Sequence, residues 1–129
     1  MTQNVRIKKA MAMRGGFMCT KPQLNIIISG MVELYRRIYG SSVDSVFLYG
    51  SYARDDAGEE SDVDIAAIVH GDRNELQKKL TELWAASDDL GMENEVVISP
   101  VVIPYDEFEK YRKKLPYYRN IDMEGRRVG

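Results

Sequence analysis

The sequence has 129 residues, 44% hydrophobic and 29% charged, with 18 basic and 20 acidic side chains giving a formal net charge of -2. That length suits a single domain with its own core, and the composition excludes disordered, collagen-like and coiled-coil chains. The near-neutral charge argues against a general electrostatic binder of nucleic acid or of anionic membrane, so an anionic ligand has to be held locally.

Residues 1–19 read as a basic N-terminal arm, with Arg6, Lys8, Lys9 and Arg14 and no Asp or Glu. A nucleic-acid contact, an organellar presequence and a frayed terminus all fit that composition. Residues 20–129 are expected to form the single domain. Thr20 is a good N-cap, Pro22 sits where a helix tolerates proline, and Leu24, Ile27, Ile28, Met31, Leu34, Tyr35 and Ile38 recur at helical spacing up to Gly40. Val43 to Tyr49 is dense in β-branched and aromatic residues and predicts a strand ended by Gly50. The acidic stretch from Asp55 to Glu60 predicts an exposed loop.

Val63, Ile65, Ala67 and Val69 alternate with Asp62, Asp64, Ala66 and Ile68, which predicts a strand with one apolar face and a second that opens on two acids. Asp72 or Asn74 caps a helix carrying Leu76, Leu80, Leu83 and Trp84, closed by Gly91. Glu95 to Ile103 predicts a third strand, held to an edge by Pro100. Phe108, Tyr111, Arg112 and Leu115 mark a short helix that stops before Pro116, leaving a tail. The alternation predicts a small sheet covered by helices.

One cysteine, Cys19, and one histidine, His70, exclude an internal disulfide and a Cys/His metal cage, which points to a reducing, cytoplasmic setting. The apolar run around Ile26 to Ile28 is too short to span a bilayer. Carboxylates remain as the catalytic side chains. At a strand end, Gly50 permits a sharp turn and Ser51 offers an amide and a hydroxyl to a phosphate oxygen. If Ser51 opens a helical turn, Arg54 lies one turn further on and points to the same region. Asp62 and Asp64 share a strand face, as two hard oxygen ligands for divalent cations.

Gly50-Ser51-Tyr52-Ala53-Arg54 followed by Ser61-Asp62-Val63-Asp64-Ile65 resembles the signature of the DNA polymerase β superfamily of nucleotidyltransferases in its minimal form. The resemblance is strong over residues 43–69, and the ending from Ile98 through Leu115-Pro116 to Glu124-Gly125 is similar to many bacterial members. It implies an α+β nucleotidyltransferase fold with a small mixed sheet, in which Gly50, Ser51 and Arg54 hold the nucleotide and Asp62 and Asp64 bind Mg2+, two ions being expected. The family's third acid is best matched by Glu95, which shares a predicted strand face with Val97 and Ser99; Glu93, or no third ligand, are the alternatives.

The resemblance further implies transfer of AMP from ATP to a hydroxyl of a HEPN-domain protein, as the antitoxin of a toxin–antitoxin pair. The short chain leaves almost no room for an acceptor-binding domain of its own, which also points to an acceptor supplied by another molecule. A module that neutralises its partner by masking, without catalysis, is the second reading, and transfer to a small molecule or an RNA end is the third. His70 reads as a surface residue, Cys19 as inert and Trp84 as core. Tyr105, Tyr111, Tyr117 and Tyr118 among Lys110, Arg112, Lys113, Lys114 and Arg119 read as a charged helix face or a basic aromatic surface.

Overall fold

The computed structural model describes residues 19–129; of the basic arm expected over residues 1–19, all but Cys19 lies outside the described residues. Helix α1 spans Lys21–Tyr39. Thr20 caps it by accepting from Gln23 N while the Gln23 side chain accepts from Thr20 N, a reciprocal pair that satisfies two otherwise orphaned amides. A 3-10 turn over Gly40–Ser42 leads into strand β1, Val43–Tyr49. The four-residue helix α2, Ser51–Arg54, follows at once, and then strand β2, Val63–Val69.

Helix α3 covers Arg73–Gln77, α4 Leu80–Glu93 and strand β3 Ile98–Pro104. Helices α5, Tyr105–Tyr111, and α6, Pro116–Glu124, precede the two-residue strand β4, Arg126–Arg127. The sheet order is β3-β2-β1-β4, with β1 antiparallel to β2 and β4, and β2 parallel to β3. This is the mixed α+β architecture expected, and β3 takes the edge position that Pro100 requires.

Helices cover both faces. On one, Ile27, Met31 and Tyr35 of α1 pack with Leu83 of α4 against Val46, Leu48, Val63, Ile65, Ala67 and Val69. On the other, Phe108 of α5 and Ile121 of α6 close over Ala66, Ile68 and Ile103. Burying Ile121 contributes about 1.5–3 kcal/mol and anchors α6 on this second, smaller core. Among the described residues, no helix is long and apolar enough to cross a membrane.

Four sequence expectations are corrected. The helix expected from Asp72 breaks at Lys78 and Lys79 into α3 and α4, and Gly91 lies inside α4, its carbonyl accepting from Asn94 N and Val96 N to close the turn. Glu95 is not on a strand: it adopts a left-handed conformation with φ of 55°, which prevents extension, and β3 starts at Ile98. Trp84 is 50% exposed rather than core. The tail after Pro116 is helix α6, because a proline that ends one helix also suits the first position of the next.

Tyr35 ties the larger core to the sheet. Its fully buried hydroxyl lies 3.1 Å from Ile65 O and 2.9 Å from Val101 O, and accepts from Val101 N at 3.2 Å. Pro100 faces Ile65 in the β2–β3 register and has no amide to give, so the phenol supplies polar contact where the ladder lacks a donor. Tyr35→Phe leaves the ring and strips these contacts. Denaturant unfolding is expected to show a loss of about 1–3 kcal/mol, and no measurable loss would contradict this role.

Candidate active site

The end of β1 runs antiparallel beside the start of β2, with Tyr49 opposite Asp64. Directly opposed residues share a sheet face, so Tyr49 and Asp64 both emerge on the side of the smaller core. Asp62 lies one residue before β2 on that side, and Ser99 of β3, paired with Asp64, donates its hydroxyl to Asp62 Oδ2 at 3.3 Å. Gly50 has φ of 74°, and a Cβ there would collide with the Asp64 carboxylate. Only glycine meets both conditions at little cost.

Gly50 then serves as N-cap of α2, its carbonyl accepting from Ala53 N and Arg54 N. Ser51 therefore does open a helical turn, and Arg54 follows one turn later. The Arg54 guanidinium meets Asp56 at 3.1 Å and Glu124 of α6 at 3.5 Å. All three side chains are well exposed, so these are weak, solvent-screened pairs that a stronger anion can replace. Gly50, Ser51, Arg54, Asp62 and Asp64 thus gather around one end of the β1–β2 pair.

Glu95 is not gathered with them. Among the described residues, no group of three or more His, Cys, Asp or Glu is arranged to hold a metal ion. Glu93 ends α4 and Glu95 lies in the turn after it, while the strand position beside the two aspartates is filled by Ser99. The donor set is a pair of carboxylates, hard oxygen donors that suit Mg2+. Their electrostatics suit it too. Burial pushes the Asp64 carboxyl above the usual carboxylate range, the charge of Asp62 adds to this, and Arg54 only partly offsets it.

The structure adds three residues at the rim. The Tyr49 hydroxyl is 2.9 Å from that of Tyr117, and the two rings meet edge to face with centroids 6.1 Å apart. Burial, reinforced by that hydrogen bond, holds the Tyr49 phenol well above its ordinary range, so it stays protonated. Glu124 approaches Arg54 from the far end of α6. Tyr49 could have been found from the β1–β2 register alone; Tyr117 and Glu124 depend on how α6 docks, which no local pattern reveals.

The remaining single residues lie elsewhere. His70 is exposed at the opposite end of β2 and stacks on Tyr105 at 4.2 Å. Cys19 is half-buried, its amide donating to the Tyr52 hydroxyl, and burial pushes its thiol pKa up. In the basic aromatic stretch, Asp122 pairs with Arg112 at 2.6 Å and Lys113 at 3.1 Å, so those charges are matched locally.

A carboxyl whose pKa is raised in the folded state destabilises the fold when ionised. The cost is absent at low pH, grows as pH rises through the ordinary carboxylate range, and is complete above the folded pKa. Asp64→Asn is therefore expected to stabilise the metal-free protein at pH 7, with a gain that vanishes in acid. Thermal unfolding of both proteins across pH checks this, and a gain that grows toward acid would contradict it.

The family model described as "Nucleotidyltransferase domain" matches residues 28–128. A relative from Methanocaldococcus jannaschii, described as a "putative protein adenylyltransferase", is 31% identical over 101 residues, covering 77% of this chain and 91% of its own. With the Gly50-Ser51 turn seated against the Asp64 carboxylate within the matched span, the chain belongs to the nucleotidyltransferase domain family.

Proposed function

We propose that the protein transfers a nucleoside monophosphate, AMP from ATP, to a hydroxyl of a partner protein, releasing pyrophosphate. The observation that carries this reading is the approach of the Gly50 backbone to Asp64, which sets the Gly50-Ser51 turn beside a carboxylate. Nucleotidyltransferase domains generally use a nucleoside triphosphate and divalent metals. The name of the archaeal relative favours a protein acceptor.

In this reading the Gly50 and Ser51 backbone and the Ser51 hydroxyl hold the triphosphate. Arg54 exchanges Asp56 and Glu124 for phosphate oxygens. Asp62 and Asp64 hold Mg2+, Ser99 fixes the orientation of Asp62, and Tyr49 remains a neutral donor at the rim. Bound Mg2+ would neutralise phosphate charge and activate the attacking hydroxyl. Glu95 would have to move to join the pair. A HEPN-domain protein is the proposed acceptor, with the chain as the antitoxin of the pair.

One observation favours a second reading, in which the protein neutralises its partner by masking: no third carboxylate joins Asp62 and Asp64 among the described residues. The two readings separate in one experiment. With a HEPN partner, Mg2+ and α-labelled ATP, label should pass to the partner, and Asp62→Asn and Asp64→Asn should each reduce transfer by on the order of 100-fold or more. A doubly substituted protein that still neutralises its partner in cells would favour masking.

A further inference from the structure

The described tyrosines occupy different surroundings, and one stands apart. Tyr35 is fully buried with its hydroxyl on the strand backbone, Tyr39 donates to Leu76 O, and Tyr52 accepts from Cys19 N. Tyr118 donates to Glu107 and packs with Phe108 and Tyr111, while Tyr105 stacks on His70 at the far end of β2. Tyr117 is 45% exposed in the first turn of α6, and its hydroxyl lies 2.9 Å from that of Tyr49. Tyr49 is the residue opposite Asp64 and immediately before Gly50-Ser51.

We propose that Tyr117 is a self-acceptor: its hydroxyl takes a nucleoside monophosphate within the chain's own active site. This rests on the nucleotidyl-transfer reading above and adds a modification site to it. The Tyr117 ring is held by edge contacts with Tyr49 and Tyr118 and not by burial, so it can turn about its side-chain bonds while Ile121 keeps α6 docked. In the reaction the Tyr117 Oη forms a bond to the α-phosphorus, and the bond from that phosphorus to the bridging oxygen of the leaving group breaks. Pyrophosphate departs, the phenolic proton passes to solvent, and a tyrosyl phosphodiester remains. The product covers the rim with a nucleotide and stands where an incoming acceptor hydroxyl would enter.

The test incubates the purified full-length chain with Mg2+ and α-labelled ATP and reads intact mass, the modified peptide and pyrophosphate release to water. The expected result is one nucleoside monophosphate per chain, mapped to Tyr117, formed at a rate independent of protein concentration. Tyr117→Phe, which keeps the ring and its packing, should lose the label. Tyr118→Phe should keep it, and Asp64→Asn should lose both label and pyrophosphate release. Pyrophosphate release by the wild-type chain with no label on Tyr117, or a labelling rate that scales with protein concentration, overturns the proposal and leaves nucleotidyl transfer standing. Absence of both label and pyrophosphate release, together with no transfer to a HEPN partner, removes the underlying reading as well.

Discussion

The close approach of the Gly50 backbone to the Asp64 carboxylate is the contact on which the site depends. It exists because the last residue of β1 lies opposite the second aspartate and the next residue has no side chain. The β1–β2 register must therefore be held firmly. A one-residue slip would send Asp64 to the opposite face, into the larger core. Val46, Leu48, Ile65 and Ala67, all fully buried, make such a slip costly, because each would exchange an apolar pocket for the other face. Core packing thus sets the separation between the turn and the acids.

The two faces of the sheet divide the work. The larger core, under α1 and α4, accounts for most of the buried apolar side chains. The smaller core ends at Ala66, and the next positions toward the strand start on that face are Asp64 and Asp62. Helix α6 covers this short core through Ile121 and at the same time brings Tyr117 to Tyr49 and Glu124 to Arg54. The C-terminal segment is then fastened to the sheet by Val128 N to Val46 O and Val46 N to Gly129 O. It belongs to the site as much as the Gly50 turn does.

Much of this was legible because local physics dictates it. Thr20 and Gln23 spell a capping box, Gly50 marks a turn with positive φ, and alternation along residues 62–69 assigns both aspartates to one face. The misreadings share a cause. Glu95, Val97 and Ser99 look like a strand face until the Gly91 carbonyl collects two amides and turns the chain through a left-handed Glu95. Trp84 fits a helical stripe, but α4 presents Leu83 and Ser87 inward and leaves the indole half exposed. Pro116 read as a stop, whereas Ile121 supplies the apolar anchor that makes a further helix worthwhile there. In each case the outcome is decided by hydrogen bonding or packing that the periodicity of apolar residues does not encode.

The electrostatics of the site follow from the same arrangement. Two carboxylates stand on one rim with Arg54 as the neighbouring cation, and Arg54 already answers two further acids, Asp56 and Glu124. Burial first, and then the charge of Asp62, raise the Asp64 carboxyl in pKa although a guanidinium is nearby. A triphosphate alone would deepen the negative charge, whereas a divalent cation arriving with it would relieve both ligand and carboxylates. In the proposed reading, nucleotide and metal bind favourably only together. Arg54 then passes from carboxylates to phosphates, and Glu124 loses its partner in the same step. Glu124 closes α6 and Tyr117 lies in its first turn, so a single nine-residue helix carries both the partner of Arg54 and the partner of Tyr49.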